Sequence, residues 1–256
     1  MTPHPDQRLL SRAKRWWAYR WHEKRLKERA AAERRFIDSS GLEVQGGLFK
    51  GMKYIDDAVC GVLAPKLIGS YEAEIADVLG DLSGVSRVVD VGSAEGYYAV
   101  GLAMFHPELP IIAFDMDPKA RALLARLAEL NGVAGRIDQR EEATPEALAK
   151  LDLDRALLIV DCEGYEDILL DPVKVPGLAG ATMVVEIHDM FVPGLSERLK
   201  DRFAATHDVE LRKPQKRNPR DYPPIAEHPD ASLLLDEARA PTEADWHFGI
   251  FRPKRR

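Results

Sequence analysis

Only two cysteines, Cys60 and Cys162, occur in the 256 residues. Two thiols so far apart make neither a disulfide framework nor a zinc–thiolate site, and they point to a reducing, cytoplasmic setting. No apolar run approaches the ~20 residues that a membrane-spanning helix needs. The N-terminus lacks the apolar core of a signal peptide. Neither the P-loop pattern G-x-x-x-x-G-K-[ST] nor the dinucleotide pattern G-x-G-x-x-G occurs, which removes two common phosphate cradles.

What is present is the composition of an ordinary globular protein, 45% hydrophobic and 30% charged. The length suits one large domain or two small ones. A net charge of −6 conceals an asymmetry. Residues 1–36 carry 11 Lys/Arg against 4 Asp/Glu, whereas the remainder carries 25 against 38. From Gln7 to Ile37 no Gly or Pro interrupts a run rich in Ala, Arg, Lys, Leu and Glu, so one long helix is expected. Leu10, Trp17 and Trp21 share one of its faces and the other faces are basic. That pattern suits a helix docked on the body or on a second copy, as in a homodimer. It equally suits contact with nucleic acid or an anionic membrane surface.

Three regions follow from the punctuation: the basic helix over 1–37, an irregular and helical cap over 38–84, and a core over 85–256. The core carries a Pro-rich insertion at about 213–230. The cap is rich in glycine up to Gly69 and then predicts a helix over Tyr71–Leu82. From Arg87 onward, short apolar runs alternate with helical patterns. Strands are expected at Arg87–Val91, Ile111–Asp115, Arg136–Arg140, Ala156–Asp161, Met183–His188, His207–Arg212 and Trp246–Phe251. Such alternation predicts an α/β, Rossmann-like, doubly wound and mostly parallel seven-stranded sheet. The two late strands form an antiparallel edge.

The run Val88-Val89-Asp90-Val91-Gly92-Ser93-Ala94-Glu95-Gly96-Tyr97-Tyr98 is an apolar strand that ends in an acid and opens a helix through a glycine turn. Gly92 and Gly96 let a ligand approach the backbone, and the helix N-terminus favours anionic groups. The next strand ends at Asp115-Met116-Asp117-Pro118, where a carboxylate suits ribose hydroxyls. Asp117 and Pro118 read as the cap and first turn of the following helix.

The spacing D-x-G-x-x-x-G resembles the first motif of class I S-adenosylmethionine (SAM)-dependent methyltransferases. The resemblance implies SAM binding by Asp90, Gly92, Ser93, Ala94, Glu95, Gly96 and Tyr97, with Asp115 and Met116 at the ribose. Glu142, after the third strand, is placed at the adenine. The run Asp161-Cys162-Glu163-Gly164-Tyr165-Glu166 and the later Val184-Val185-Glu186-Ile187-His188 are similar to two signatures of the FkbM methyltransferase family. The matches span Val88–His188, with Asp115-Met116 standing where that family usually reads Glu-Pro. The family mostly methylates hydroxyls of sugars and small molecules, so O-methylation of a glycan, sugar or natural-product acceptor is implied.

Asp161, Glu163, Glu186 and His188 end the fourth and fifth strands, on the ligand side of an open parallel sheet. Two mechanisms stay open. His188 is a general base for an acceptor hydroxyl, oriented by Glu186 or Asp161, with Glu163 a further catalytic candidate. Alternatively Asp161, Glu186 and His188 hold a divalent cation, and such a mixed oxygen and nitrogen set suits Mg, Mn or Fe. Tyr71 and Glu72, in the cap, are candidates for the acceptor side. An RNA methyltransferase using the basic helix is a second reading, although no N/D-P-P-Y/F run follows the fourth strand. A non-catalytic SAM-binding interaction protein is a third.

Overall fold

The computed structural model describes residues 24–58, 62–237 and 246–254. Leu10, Trp17 and Trp21, the apolar face of the expected basic helix, lie outside the described residues, as does Cys60. The described part of that helix, α1, covers residues 24–40. It docks on the body through buried Ala32, Phe36 and Ile37. Arg25 and Arg35 pair with Asp236 and Asp230, each at 2.7 Å. The apolar contacts supply most of that docking, because exposed ion pairs contribute little.

The cap contains α2 (Leu63–Ile68), a 3₁₀ turn (Ala73–Ile75) and α3 (Ala76–Gly80). The single helix expected over Tyr71–Leu82 is thus broken at Glu72, which takes a left-handed conformation with φ 48°. The core follows as β1 (Arg87–Val91), α4 (Tyr97–Phe105), β2 (Ile111–Phe114), α5 (Pro118–Leu130), β3 (Ile137–Arg140) and α6 (Pro145–Leu148). It continues as β4 (Ala156–Val160), α7 (Glu166–Leu169), β5 (Thr182–His188), α8 (Leu195–Phe203), β6 (His207–Arg212), α9 (Ala231–Leu234) and β7 (Trp246–Pro253). Asp117 caps α5 by accepting from the Lys119 amide, with Pro118 in the first turn.

The strands form one sheet in the order β3-β2-β1-β4-β5-β7-β6. The first five are mutually parallel. Strand β7 runs antiparallel to both β5 and β6, so the reversed strand lies one place in from the edge. Every residue of β4 is buried, as expected for a central strand covered on both faces. One core cluster joins α1, the cap and α4 to one face of the sheet, and a second packs α7 and α8 on the other. No helix among the described residues is long and apolar enough to cross a membrane.

Chain order reverses between β1 and β4, which lie side by side with Val91 opposite Val160. Ligands of open α/β sheets bind at the carboxyl ends of strands at such a switch point. The acids that end β1, β4 and β5 therefore share one rim.

Candidate functional site

A cleft opens over this switch point. It is lined by the turn after β1, by Asp161 and Glu186 at the ends of β4 and β5, and by Lys66, Tyr71 and Glu72 of the cap. Asp90 is buried beneath it, and its Oδ2 has no hydrogen-bond partner. Ser93 Oγ, above it, is likewise buried and unbonded. Burial pushes the Asp90 carboxyl up to about 7, and the charges of Asp115 and Glu72 add to the effect against a bond from the Ala99 amide. A buried carboxyl with an open acceptor is costly unless a donor or cation meets it.

The glycine turn packs closely on the rest of the chain. Gly92 has φ 79°, and a Cβ there would sit 1.7 Å from the Asp161 carbonyl oxygen. The missing side chain thus lets the ends of β1 and β4 touch. At Gly96, φ 95°, a Cβ would meet Leu124 at 2.8 Å. Both glycines serve packing of the chain on itself. Gly92 also lines the cleft, together with Asp90 and Ser93.

Asp115 lies at the end of β2 and faces the turn. Its Oδ2 accepts from the Ala94 amide and its Oδ1 from the Asp117 amide, each at 2.8 Å. Each oxygen keeps a second lone pair for an incoming donor. Met116 is 77% exposed beside it. Glu142 is exposed beyond β3 and does not line the cleft.

Glu95 and Tyr97 line the cleft, but Glu95 is fully buried and bonded within the protein. It accepts from Tyr54 Oη at 2.8 Å and from Lys66 Nζ. Burial alone would raise its pKa, yet Lys66 and Tyr54 hold it below the usual carboxylate range. Lys66 also sits over the Tyr71 ring, 4.9 Å from its centre. This Lys66–Glu95 pair was not foreseen. The one trace of it in the sequence is a lysine inside the apolar run Leu63-Ala64-Pro65-Lys66-Leu67-Ile68.

Beside the cleft, Asp161, Glu186 and His188 converge. One ligand atom from each lies within 4.8 Å of the others. His188 Nε2 stands 3.7 Å from Asp161, 4.0 Å from Glu186 and 3.6 Å from Glu163. His188 Nδ1 faces the other way, 2.8 Å from Oε1 of the wholly buried Glu166. Burial works to lower the His188 pKa, but the bond to Glu166 and the charges of Glu186 and Glu163 outweigh it and raise it. Cys162 Sγ is pushed far above the ordinary thiol range by burial and by Glu166 and Asp161, so it is no nucleophile.

Backbone strain concentrates here. Four non-glycine residues have positive φ among those described, and Glu72, Ala94 and Glu163 are three of them. A non-glycine residue in that region costs energy, and such residues gather at functional sites. Glu72 and Tyr71 line the cleft, and Glu72 accepts from Tyr98 Oη at 2.5 Å.

The segment Ser70–Glu74 that carries them is held by Arg217 of the Pro-rich insertion. Arg217 donates to Ser70 O at 3.1 Å, to both oxygens of Glu74 and to Glu237. Glu237 in turn accepts from the Glu72 amide at 3.2 Å. The insertion therefore acts as a strap whose inner side fixes the cap over the cleft.

No protein-family model matches the chain, and no curated protein matches it in sequence. Solved structures do share its path. The O-methyltransferase TomG from Streptomyces achromogenes, involved in tomaymycin synthesis, is 19% identical over 73% of this chain and 80% of its own, with a TM-score of 0.43. Precorrin-6y C5,15-methyltransferase from Geobacter metallireducens is 20% identical over 55% and 75%, with a TM-score of 0.43. An O-methyltransferase family protein from Burkholderia thailandensis is 13% identical over 72% and 56%, with a TM-score of 0.40. The sheet order and the reversed β7 are those of the class I SAM-dependent methyltransferase fold.

Proposed function

We propose that this chain is a SAM-dependent methyltransferase acting on a hydroxyl of a small acceptor, with a divalent cation held by Asp161, Glu186 and His188. The observation that carries the reading is the open Oδ2 of buried Asp90, set in the cleft between the glycine turn and the carboxylate–imidazole cluster. A buried carboxylate with an open acceptor fits the α-ammonium group of a methionyl moiety. Asp115, kept in place by two amides, fits ribose hydroxyls. The FkbM resemblance agrees with this, because the residues that carry it are the ones that end β4 and β5.

The cluster fits a cation by its chemistry. Three carboxylates within 4.0 Å of one imidazole nitrogen need positive charge. Mixed oxygen and nitrogen donors suit Mg, Mn or Fe. Glu166 on Nδ1 fixes the tautomer that presents the Nε2 lone pair to the cluster, as outer carboxylates do at metal-binding histidines.

When bound, SAM supplies an electrophilic methyl group and the cation acidifies the acceptor hydroxyl. The residues supply position, which is most of what an in-line transfer requires. Asp90 and Asp115 orient the donor. Asp161, Glu186 and His188 set where the acceptor oxygen lies. Glu163, 3.6 Å from Nε2 and with its side chain 68% exposed, receives the hydroxyl proton and passes it to water.

Calorimetric titration with SAM tests the reading. The wild type binds, Asp90→Asn weakens binding at least about 10-fold, and a chelator stops methyl transfer without releasing SAM. A wild type that does not bind SAM overturns the proposal. Transfer that survives both chelator and Asp161→Asn overturns its metal component.

A further inference from the structure

Phe191 is 55% exposed although it lies against the most enclosed part of the site. Its ring stacks on the His188 imidazole with centres 5.7 Å apart and planes 23° from parallel. Met190, beside it, is 42% exposed. The main chain that carries the ring is fixed. The amides of Phe191 and Val192 both donate to His188 O, at 3.0 and 3.1 Å, which closes a tight turn at the end of β5. Beneath the turn, Gly164 packs so closely that a Cβ there would lie 3.2 Å from Phe191 Cβ. A fixed, half-exposed aromatic face beside a polar cluster is costly in water and ready for a planar partner.

The cleft lining agrees. Ile75, Ile159, Val184 and Phe248 offer apolar surface, with the rings of Tyr71 and Tyr97 beside them. Of the charged members of the lining, Lys66, Glu95 and Glu72 are engaged with protein partners, Asp90 belongs to the donor side, and Asp161 and Glu186 belong to the cluster at His188. A polyol needs many donors and acceptors, whereas a ring needs faces and one polar anchor.

We propose that the acceptor is aromatic and carries its reactive hydroxyl on the ring, and that Phe191 is the surface against which that ring stacks. The inference rests on the methyltransferase reading above and names its substrate class. The transfer forms the bond between ring oxygen and methyl carbon as the carbon–sulfur bond breaks. The electron pair of that bond stays on sulfur, which becomes a neutral thioether. The hydroxyl proton leaves through Glu163 to water.

The test incubates the full chain with SAM and Mn²⁺ and two probes, 3,4-dihydroxybenzoate and methyl α-rhamnopyranoside. The catechol acid is expected to be methylated on a ring oxygen and the sugar is not. Phe191→Ala raises KM for the catechol acid about 10-fold, the loss appearing in KM rather than kcat, and Phe191→Trp restores it. A wild type that binds SAM and Mn²⁺ yet methylates no ring hydroxyl overturns the inference. So does an unchanged KM in Phe191→Ala. Failure to bind SAM at all instead overturns the methyltransferase reading itself, so the two failures are distinguishable.

Discussion

Glu166 Oε1 lies 2.8 Å from His188 Nδ1, and the Glu166 side chain is entirely buried. The pair fixes which imidazole nitrogen meets Asp161, Glu163 and Glu186. Outer partners of this kind tune metal sites by roughly 10–100-fold in affinity. Glu166→Gln keeps the shape of the contact and removes its charge. Titration with Mn²⁺ is expected to show affinity lowered within that range while circular dichroism stays native. Equal affinity in the two proteins would remove Glu166 from the site.

Asp90 sets a pH dependence. Its folded-state pKa of about 7 stands above the ordinary carboxyl value, so the folded protein without ligand binds the extra proton. Stability contributed by Asp90 is therefore present below about pH 4 and falls as pH rises toward 7. A cationic ligand reverses the preference, because it favours the ionised carboxylate. SAM affinity is expected to rise with pH up to about 7, and binding at pH 6 is expected to release a proton. Calorimetry in buffers of differing ionisation enthalpy measures that release. Asp90→Asn should abolish it, and undiminished release in that variant would assign the proton elsewhere.

Arg217 and Glu74 form a buried ion pair, with side chains 9% and 3% exposed. Removing one partner strands the other, which costs on the order of 3–5 kcal/mol. Arg217→Met is expected to lose stability in that range by urea denaturation, and Arg217→Met combined with Glu74→Leu to recover most of it. Both variants free the Ser70–Glu74 segment, so both are expected to raise KM for the acceptor. Recovery of KM along with stability in the double variant would show that the strap does not position Tyr71 and Glu72.

Much of the architecture is legible in the residues because buried parallel strands are short, wholly apolar and bounded by turns. β2 and β4 are runs of that kind, β1 departs from it at Arg87 and Asp90, and each appears within a residue or two of its expected bounds. The cluster at His188 is legible for the same reason, since Asp161, Glu186 and His188 are strand-end polar residues and the topology collects strand ends. Glu166 is harder to see. Its role depends on the strained turn at Glu163 and Gly164, which folds the chain back toward β5, and on a carboxylate at the buried start of α7. The signal was an acid beside apolar Ile168, Leu169 and Leu170, where solvation alone would not place one. Lys66 and Glu95 meet across 29 positions, and no local pattern encodes such a partner. The break in the cap helix at Glu72 reflects a bond donated by Tyr98 to its side chain and one donated by its amide to Glu237, which outweigh helix propensity.

The contact of Gly92 with the Asp161 carbonyl makes the turn after β1 and the end of β4 one mechanical part. No side chain intervenes between them that substitution could lengthen or shorten. The spacing between the ends of β1 and β4 is thus set by main chain. On the proposed function, choice of acceptor belongs to Met190, Phe191 and the strapped cap, which lie outside that contact. A laboratory seeking to redirect the protein to new molecules should diversify those positions and leave the β1–β4 joint alone.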